Sequence, residues 1–500
     1  MSTLSDEQVD QIARRVMQYV AEGKPLNVGA PMDGASASPE YRRGEQERPS
    51  PVAAAQPVGM PGVFAELDSA VNATARAFGE LNGMPLALRD KIIANIRESV
   101  LANAESLARE ACEETGLGRV EDKIVKNRLV ATKTPGTEDL VPQAGSGDRG
   151  LTLMERAPFG VIGSITPCTN PTATIICNTI GMIAAGNAVV FNVHPAAKQV
   201  STHTVALLNE AVMRAGGPPN LITTLANPTI ETAQALMKHP GIHLLVVTGG
   251  PGVVEVAMQS GKRAICAGPG NPPVVVDETA DIALAGREIV RGASFDNNVI
   301  CTDEKEAFVV ASVADDMLRA MGQNGAFVLN RAQVADIDEA IFEETRGPRT
   351  PGVVKRELIG KSASVILSKI GVTVGDEVRL VVIDVDANHP LVWTEQLMPV
   401  FPVVRVSNVD EAIDLAVAAE GGCRHTAAMY SRNIDKLSRM ARVINCSIFV
   451  KNGPCFAGLG EGGEGYASFS IASPTGEGLT GPRAFSRERR CVLVDHFRIV

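Results

Sequence analysis

The chain has 500 residues, of which 45% are hydrophobic, 21% charged and 4% aromatic, and its formal net charge is −10. That length exceeds what one hydrophobic core usually organises, so we expect a soluble protein of two or three domains. The acidic balance argues against a nucleic-acid-binding face. Nine scattered cysteines without a CxxC pair indicate neither a disulfide framework nor a zinc ribbon, and they favour a reducing, cytosolic setting.

The first twenty residues predict a short amphipathic helix, and residues 21–62 predict a flexible linker. The linker is rich in Pro, Gly, Ala and Ser and shows no apolar period. Two interpretations of the helix stay open: a frayed tail or oligomer contact, or a docking helix that lays its apolar stripe on a partner protein. The stripe consists of apolar residues at spacings of three to five, namely Leu4, Val9, Ile12, Val16 and Val20.

From about Val63 the pattern predicts helix through Glu114, with a break between Gly79 and Pro85, and then an alternation of strands and helices. Such a βα alternation predicts an α/β fold whose parallel sheets are covered by helices. The final run, CVLVDHFRIV, predicts one more strand, which adds to a neighbouring sheet. The other strand candidates are the short apolar runs GVIGSIT, NAVVFNV, LITTL, HLLVVTG, PPVVVD, EAFVVAS, RLVVID and PVVRV.

No membrane span or secretory signal is predicted. The longest uncharged stretch, residues 157–193, is interrupted by prolines and asparagines. The N-terminus has early acidic residues and no apolar core of the kind that a signal peptide carries.

Two glycine-rich loops are candidates for phosphate binding. The loop GLGEGGEG has a formal GxGxxG spacing from Gly458, but strand-like residues follow it where a helix should begin, so we reject it. The run HLLVV leads into Thr248, Gly249 and Gly250 and then into a predicted helix, whose N-terminal amides favour an anion. An ordinary tight turn between strand and helix is the alternative for this second loop.

Histidine spacing does not predict a metal site. His239 and His243 are four residues apart, but Pro240 and a predicted strand separate them, so they would not share a helix face. No histidine lies close to Cys301 in the sequence. A pair with a histidine that is distant in the sequence stays open, and no pattern supports it.

The segment NNVICTDEK, residues 297–305, raises the question of what Cys301 does. A free cysteine is usually a small core residue. The polar residues on both sides instead indicate a loop that enters a helix, and the amides at the start of that helix would lower the pKa of the thiol. On these flanks alone, both the core thiol and the nucleophile stay open.

Several segments together resemble the aldehyde dehydrogenase superfamily and occur in that family's order: APFGVIGSITPCTNPT, NAVVFNVHPAAK, VVTGGPG, AICAGPGNPPVVVD, NNVICTDEK and WTEQLMPVFPVVRV. The ending, from GLGEGGEG to RRCVL, resembles the CoA-acylating members of bacterial microcompartments, which serve propanediol or ethanolamine utilisation. The resemblance covers residues 63–500.

The resemblance implies the aldehyde dehydrogenase fold, with a Rossmann-like cofactor domain at 63–265 and an α/β catalytic domain at 266–455. A C-terminal segment at 456–500 would supply a strand for oligomerisation, together with residues 134–151. It also implies a homodimer or a homotetramer and does not distinguish the two.

The resemblance makes Cys301 the nucleophile and implies CoA-dependent oxidation of a short aliphatic aldehyde with reduction of NAD. Hydrolytic members carry a water-activating glutamate where this chain has Cys266. A neutral thiol is a poor base, so the acyl thioester on Cys301 should persist until the thiol of coenzyme A attacks it. Propionaldehyde is favoured as substrate, an acetaldehyde enzyme is the alternative, and a hydrolytic or semialdehyde dehydrogenase is the runner-up.

Three further residues take catalytic roles by resemblance. Thr169 or Asn170, together with the backbone N–H of Cys301, should hold the developing oxyanion. A local turn bond before Pro171 is the alternative for Asn170. His425 falls where the family lines the mouth of the substrate tunnel, and we expect it to deprotonate or orient the CoA thiol, with a plain core or surface histidine as the alternative.

The cofactor residues also come from the resemblance. Glu395 stands at the position of the glutamate that binds the nicotinamide ribose. His194 and Ala197 replace the lysine and glutamate that usually contact the adenosine ribose, and the loss of that glutamate removes a group that repels a 2′-phosphate. NAD is the first choice by overall resemblance, and NADP is not excluded. Thr166 and the Thr248 turn complete the expected contacts, and no metal is expected.

The resemblance favours the docking helix at residues 1–20, because such enzymes are often attached to microcompartments by N-terminal extensions. The partner would be a shell or cargo protein, and the enzyme would be cytoplasmic and encapsulated. A non-catalytic scaffold protein is the reading from another class, and the presence of Cys301 and Glu395 argues against it.

Overall fold

The computed structural model describes residues 59–500, so the helix predicted at 1–20 and most of the linker predicted at 21–62 lie outside the described residues. The predicted helical break is confirmed between Asn82 and Ala87, and Gly79 lies inside the first helix. Within residues 59–500 the α-helices are α1 (Leu67–Asn82), α2 (Ala87–Thr115), α3 (Val120–Lys133), α4 (Pro171–Ala184), α5 (Lys198–Arg214), α6 (Ile230–Lys238), α7 (Pro251–Met258), α8 (Ile282–Ala293), α9 (Ala311–Gln323), α10 (Arg331–Ile341), α11 (Ala363–Ser368), α12 (Val409–Ala419) and α13 (Ile434–Val443).

The strands alternate with these helices from about residue 160 onward, as the sequence predicted. The same range contains strands β1 (Val63–Phe64), β2 (Gln143–Gly147), β3 (Gly150–Pro158), β4 (Val161–Ile165), β5 (Ala188–Asn192), β6 (Ile222–Leu225), β7 (Leu244–Thr248), β8 (Ala264–Ala267), β9 (Pro273–Val276), β10 (Glu306–Val310), β11 (Ala326–Val328), β12 (Phe342–Glu344), β13 (Val353–Val354), β14 (Leu380–Val385), β15 (Val400–Val406), β16 (Thr426–Tyr430), β17 (Ile448–Lys451), β18 (Ile471–Ala472), β19 (Gly478–Leu479) and β20 (Ser486–Val494).

The first sheet has six parallel strands in the order β1-β6-β5-β4-β7-β8. Strands β4, β5 and β6 are buried at every residue, which is the expected burial for a sheet covered by helices on both faces. Strand β8 belongs to this sheet and spans the domain boundary predicted between residues 265 and 266.

The second sheet has seven parallel strands in the order β11-β14-β15-β10-β9-β16-β17. Its central strand β10 begins shortly after Cys301. The predicted α/β class with parallel sheets is confirmed. Strands β8, β16 and β17 were not among the predicted runs.

An antiparallel sheet of three strands, β2-β3-β20, joins residues 143–158 to the C-terminal segment. The C-terminal strand was predicted in the last ten residues, but it begins at Ser486 and ends at Val494. Two further pairs, β12-β13 and β18-β19, are antiparallel ribbons. No helix within residues 59–500 is both long and apolar enough to cross a lipid bilayer.

Candidate active site

A cavity of about 750 Å³ lies at the carboxyl ends of strands β4, β5 and β7. Parallel α/β sheets place ligands at this end, because loops and helix N-termini converge there. Nine of the predicted site residues line the cavity, from both sheets: Thr166, Thr169, Asn170, His194, Thr248, Gly249, Gly250, Cys301 and Glu395. The structure thus brings together residues that are up to 229 positions apart.

The loop before Cys301 has an unusual backbone. Asp296, Asn297 and Asn298 have φ angles of 49°, 54° and 65°, which place three successive non-glycine residues in the left-handed region. Asp and Asn tolerate this region better than most residues, and tertiary contacts must hold them there. The side-chain Nδ2 of Asn297 donates to the Gly360 carbonyl at 2.9 Å, and the side-chain Nδ2 of Asn298 donates to the Ala293 carbonyl at 2.7 Å.

The prediction of a helix directly after Cys301 is wrong. A turn follows the cysteine, and strand β10 then begins at Glu306, so the chain forms no helix directly after the thiol. Burial first, and then the charge of Glu395, raise the pKa of Cys301 to about 12, and Lys305 opposes both. The expected lowering of the thiol pKa is therefore reversed in this structure, because burial outweighs the nearby cation.

Lys305 is a buried cation that the sequence reasoning missed. Its ammonium donates to the backbone carbonyls of Asn298 at 3.0 Å and Ile300 at 3.2 Å, and also to the Asn298 side chain. The side chain is completely buried. Lys305 therefore holds in place the backbone segment that precedes Cys301. In the sequence it is recognisable only as a charged residue just before a predicted buried strand.

Asn170 stands at the start of α4 but makes no side-chain cap bond to that helix. Its Oδ1 accepts a hydrogen bond of 2.6 Å from Lys126 Nζ, and its Nδ2 donates to Thr169 Oγ1 at 3.3 Å. Asn170 therefore makes one local side-chain bond, to Thr169, and one long-range bond, to Lys126 on α3. Thr169 and Asn170 both line the cavity beside Cys301.

His425 is the one predicted site residue that does not line the cavity. It is 1% exposed, its Nδ1 lies 2.8 Å from Thr426 Oγ1, and its Nε2 has no hydrogen-bond partner among the described residues. Burial lowers the pKa of His425 to about 4, so the imidazole is neutral at pH 7. A Cβ added to Gly270 would lie 2.8 Å from His425 Cγ and 2.8 Å from the Cys301 carbonyl oxygen. His425 thus lies behind the wall that supports the nucleophile, and its predicted role toward CoA stays a prediction.

Comparison with known sequences identifies the family. Residues 62–468 match the profile of the Aldehyde dehydrogenase family. The chain belongs to the aldehyde dehydrogenase family.

Two relatives within the family are CoA-acylating. The chain is 56% identical to an acetaldehyde dehydrogenase (acetylating) of Salmonella typhimurium over 440 residues, which cover 88% of this chain and 94% of that protein. It is 46% identical to a propanal dehydrogenase (CoA-propanoylating) of the same species, with 89% of this chain and 94% of that protein covered. The predicted resemblance to CoA-acylating aldehyde dehydrogenases is therefore confirmed.

Solved structures of similar enzymes have the same fold as this chain. A propionaldehyde dehydrogenase of Rhodopseudomonas palustris, solved with bound CoA and an acylated cysteine, is 48% identical with a TM-score of 0.84, covering 87% of this chain and 98% of that one. The enzyme of a Clostridium phytofermentans fucose-utilisation microcompartment is 46% identical with a TM-score of 0.85 (88% and 100% covered). An engineered glycolyl-CoA reductase with bound NADP+ is 47% identical with a TM-score of 0.85 (88% and 99% covered).

The cavity of this aldehyde dehydrogenase suits a nicotinamide dinucleotide. Thr166 Oγ1 is buried on the cavity wall without a hydrogen-bond partner among the described residues, so a ligand hydroxyl or amide can pair with it. A Cβ added to Gly250 would meet nothing within 4 Å, and α7 begins at the next residue. Thr248 Oγ1 is 2.7 Å from Ser470 Oγ, and His194 is exposed on the cavity wall.

Cys266 stands where the hydrolytic aldehyde dehydrogenases have their glutamate, and it is completely buried. Its side chain packs in a core with Val247 and Ala257, and it does not line the cavity. Burial raises the pKa of Cys266 to about 11, with a smaller contribution from Glu477. Cys266 is therefore a packing residue, as the sequence interpretation had it. Its thiol does not supply a base that could activate water.

Within residues 59–500, no group of three or more His, Cys, Asp or Glu side chains is arranged to hold a metal ion.

Proposed function

We propose that this aldehyde dehydrogenase oxidises a short aliphatic aldehyde to acyl-CoA, with NAD as the oxidant and an acyl thioester on Cys301 as the intermediate. The observation that carries the proposal is the shared cavity, in which Cys301 lies among the residues predicted for the cofactor. The buried Cys266 thiol supports it, because that position holds no carboxylate to activate water.

The chemistry follows from the cavity walls. The Cys301 thiol loses its proton to solvent, the resulting thiolate forms a bond to the aldehyde carbon, and the carbonyl electron pair moves to oxygen. The Cys301 N–H and the Thr169 or Asn170 side chain donate to that oxyanion. Collapse of the oxyanion would leave a thioester on Cys301, and a nicotinamide dinucleotide bound in the cavity would accept the hydride. The sulfur of CoA attacks the thioester carbon and the bond to Cys301 breaks, so that acyl-CoA forms and the proton of the CoA thiol passes to the displaced Cys301 thiolate.

The cofactor contacts are part of this proposal. Glu395 would bind the nicotinamide ribose, and the turn at Thr248, Gly249 and Gly250 would lie against the phosphates. NAD is proposed because of the overall family resemblance, while His194 places no carboxylate against a 2′-phosphate. Measuring kcat/KM with NAD and with NADP tests this preference, and a higher value with NADP would contradict it.

Propionaldehyde is the substrate that the C-terminal motif favours, and acetaldehyde is the second candidate. The second candidate rests on a specific observation, because identity is 56% to the acetylating relative and 46% to the propanoylating one. Steady-state kinetics with aldehydes of two, three and four carbons separates the two. A highest kcat/KM for acetaldehyde would replace propionaldehyde as the proposed substrate.

The decisive experiment measures NADH formation with and without CoA. A single burst of NADH without CoA, and steady turnover with CoA, is expected for an acyl-enzyme that water cleaves slowly. Cys301→Ala should abolish both phases, whereas Cys446→Ala, at a cysteine that does not line the cavity, should keep them. Steady turnover to free acid without CoA would establish the hydrolytic alternative instead.

We also propose a homodimer or a homotetramer built through the antiparallel sheet of β2, β3 and β20. The support is the apolar surface of its outer strand, where Val492 is 56% exposed and Val494 is 61% exposed. An assembly that covers these side chains would remove apolar area from water. Sedimentation of the protein and of a Val492→Asp, Val494→Asp variant tests the interface, and an unchanged assembly would rule it out.

Encapsulation through residues 1–20 is the last part of the proposal. The helix predicted there has an apolar stripe suited to a shell or cargo protein, and a similar enzyme comes from a microcompartment. A chain without residues 1–58 should keep its activity and lose encapsulation. Val9→Asp with Val16→Asp is the matched variant, because it keeps the length and removes the stripe. If encapsulation survives both changes, residues 1–20 are not a docking helix, and the alternative of a frayed tail is favoured.

A further inference from the structure

Lys126 contacts two walls of the active site at once. From helix α3, its buried ammonium donates to Asn170 Oδ1 at 2.6 Å and also contacts Asp296 Oδ2. Asn170 lines the cavity after strand β4, and Asp296 begins the left-handed loop that leads to Cys301. One side chain therefore connects the segment that holds the oxyanion donor to the segment that holds the nucleophile.

The contact fixes the orientation of the Asn170 amide. The oxygen and the NH2 group of an asparagine are similar in shape, and only their partners decide which end faces which way. An ammonium group has only donors, so it pairs with Oδ1 and disfavours the flipped amide, in which NH2 would face the cation. The Nδ2 group is thereby left on the side of Thr169, another residue of the cavity wall.

Asp296 anchors the cation in the fold. Its Oδ1 accepts from the Arg119 backbone N–H at 2.7 Å, and its Oδ2 accepts from Lys123 Nζ at 2.9 Å. Its own N–H donates to Asp122 Oδ2 at 2.9 Å. The side chains of Lys126 and Asp296 are almost fully buried, so either charge without the other would be costly. Such a pair holds a single geometry because its partners are fixed on every side.

We propose that Lys126 is a positioning residue for the oxidation step: it orients Asn170 so that Nδ2 donates to the oxyanion formed at Cys301. The inference rests on the proposed acylation of Cys301, and it assigns to Asn170 the role that the sequence left shared with Thr169. Burial lowers the pKa of Lys126 to about 8, and Asp296 opposes this fall, so most of the ammonium stays protonated at pH 7.

A double-mutant cycle on the NADH burst tests this inference. Removal of one oxyanion donor typically slows the chemical step about 10²–10³-fold. Lys126→Met in the wild-type background should slow the burst by a factor in that range, with little change in the KM for aldehyde. In an Asn170→Ala background the same change should slow it less than about threefold, because the group it positions is already gone.

Lys123→Met is the matched control, because it removes an equal charge beside Asp296. Lys123 Nζ donates to the Thr169 carbonyl and does not contact the Asn170 side chain. Whatever factor this variant costs should be the same in the wild-type and Asn170→Ala backgrounds. Lys126→Arg, which keeps the charge and the donors, should recover at least part of the burst rate. It also serves if Lys126→Met does not fold.

Equal factors for Lys126→Met in both backgrounds, or an unchanged burst in the wild-type background, would overturn the inference. The burst requires no CoA, so its outcome is independent of the acyl acceptor. An enzyme that proves hydrolytic would refute the proposed transfer to CoA and leave the cycle fully readable.

Discussion

Glu395 accepts a hydrogen bond of 3.2 Å from the backbone N–H of Gly270, and this places its charge where it raises the pKa of Cys301. Burial is the larger cause of that raised pKa, and Glu395 is the next. The residue predicted to bind the cofactor ribose therefore also restrains the nucleophile. In the absence of ligands, the thiol is protonated at neutral pH.

Glu395→Gln should make Cys301 react faster with iodoacetamide at pH 8. Removing the negative charge lowers the thiol pKa, and each unit of pKa gives about tenfold more thiolate. The rate of alkylation, followed by mass spectrometry, is the measurement. Glu477→Gln is the control, because that carboxylate acts on Cys266. A slower or unchanged reaction of the Glu395 variant would show that its charge does not govern the thiol.

The same alkylation in the wild-type protein should accelerate with pH. A thiol with a pKa of about 12 gains roughly tenfold in thiolate for each pH unit below that value. The rate should therefore still be rising at pH 9.5, where an ordinary thiol has begun to level off. A plateau below pH 9 would contradict the raised pKa.

Gly270→Ala should greatly slow the NADH burst. The new Cβ would lie 2.8 Å from the Cys301 carbonyl oxygen and 2.8 Å from His425 Cγ, so the nucleophile loop must shift. A displacement of this kind can reduce a rate about 100-fold. Gly322→Ala is the control, because its Cβ meets nothing within 4 Å on helix α9. A Gly270 variant as fast as Gly322→Ala would mean that the loop adapts freely.

Glu304→Gln should stabilise the protein more at pH 8 than at pH 5. Burial raises the pKa of Glu304 to about 7 from an ordinary 4.5, and its Oε1 accepts from the Cys455 N–H at 2.8 Å. A raised pKa gives stability that is complete below pH 4.5 and is lost as pH rises through 7, because the buried group must then ionise. Glutamine keeps the acceptor and never ionises. Thermal melts at both pH values measure the difference, and an equal shift at both would refute it.

Cys266→Ala should leave the ratio of acyl-CoA to free acid unchanged. The thiol is buried behind the cavity wall, so its loss adds neither a base nor a path for water. The cost should appear in stability, at about 1–2 kcal/mol for a small core truncation. Product analysis by chromatography, together with denaturant unfolding, checks both statements. A rise in free acid would show that Cys266 protects the thioester.

Much of the site was predictable because its residues occur in short motifs at the ends of strands. Thr166 and Thr248 lie at the carboxyl ends of the buried strands β4 and β7, and parallel strands bring such ends to one edge. The α/β class, the nucleophile and the cofactor wall could thus be predicted from local pattern and family resemblance. The short strand β16 and the start of β20 were harder, since their residues become strands only through pairing with neighbours.

The sequence by itself predicted Cys301 as the nucleophile and eight residues that share its cavity. Only the tertiary structure decided how they are tuned, because burial and charge come from segments far apart in the chain. Burial and the charge of Glu395 raise the pKa of Cys301. Asn170 is oriented by Lys126, which Asp296 anchors. These contacts join residues 44 to 170 positions apart, and no local pattern carries that information.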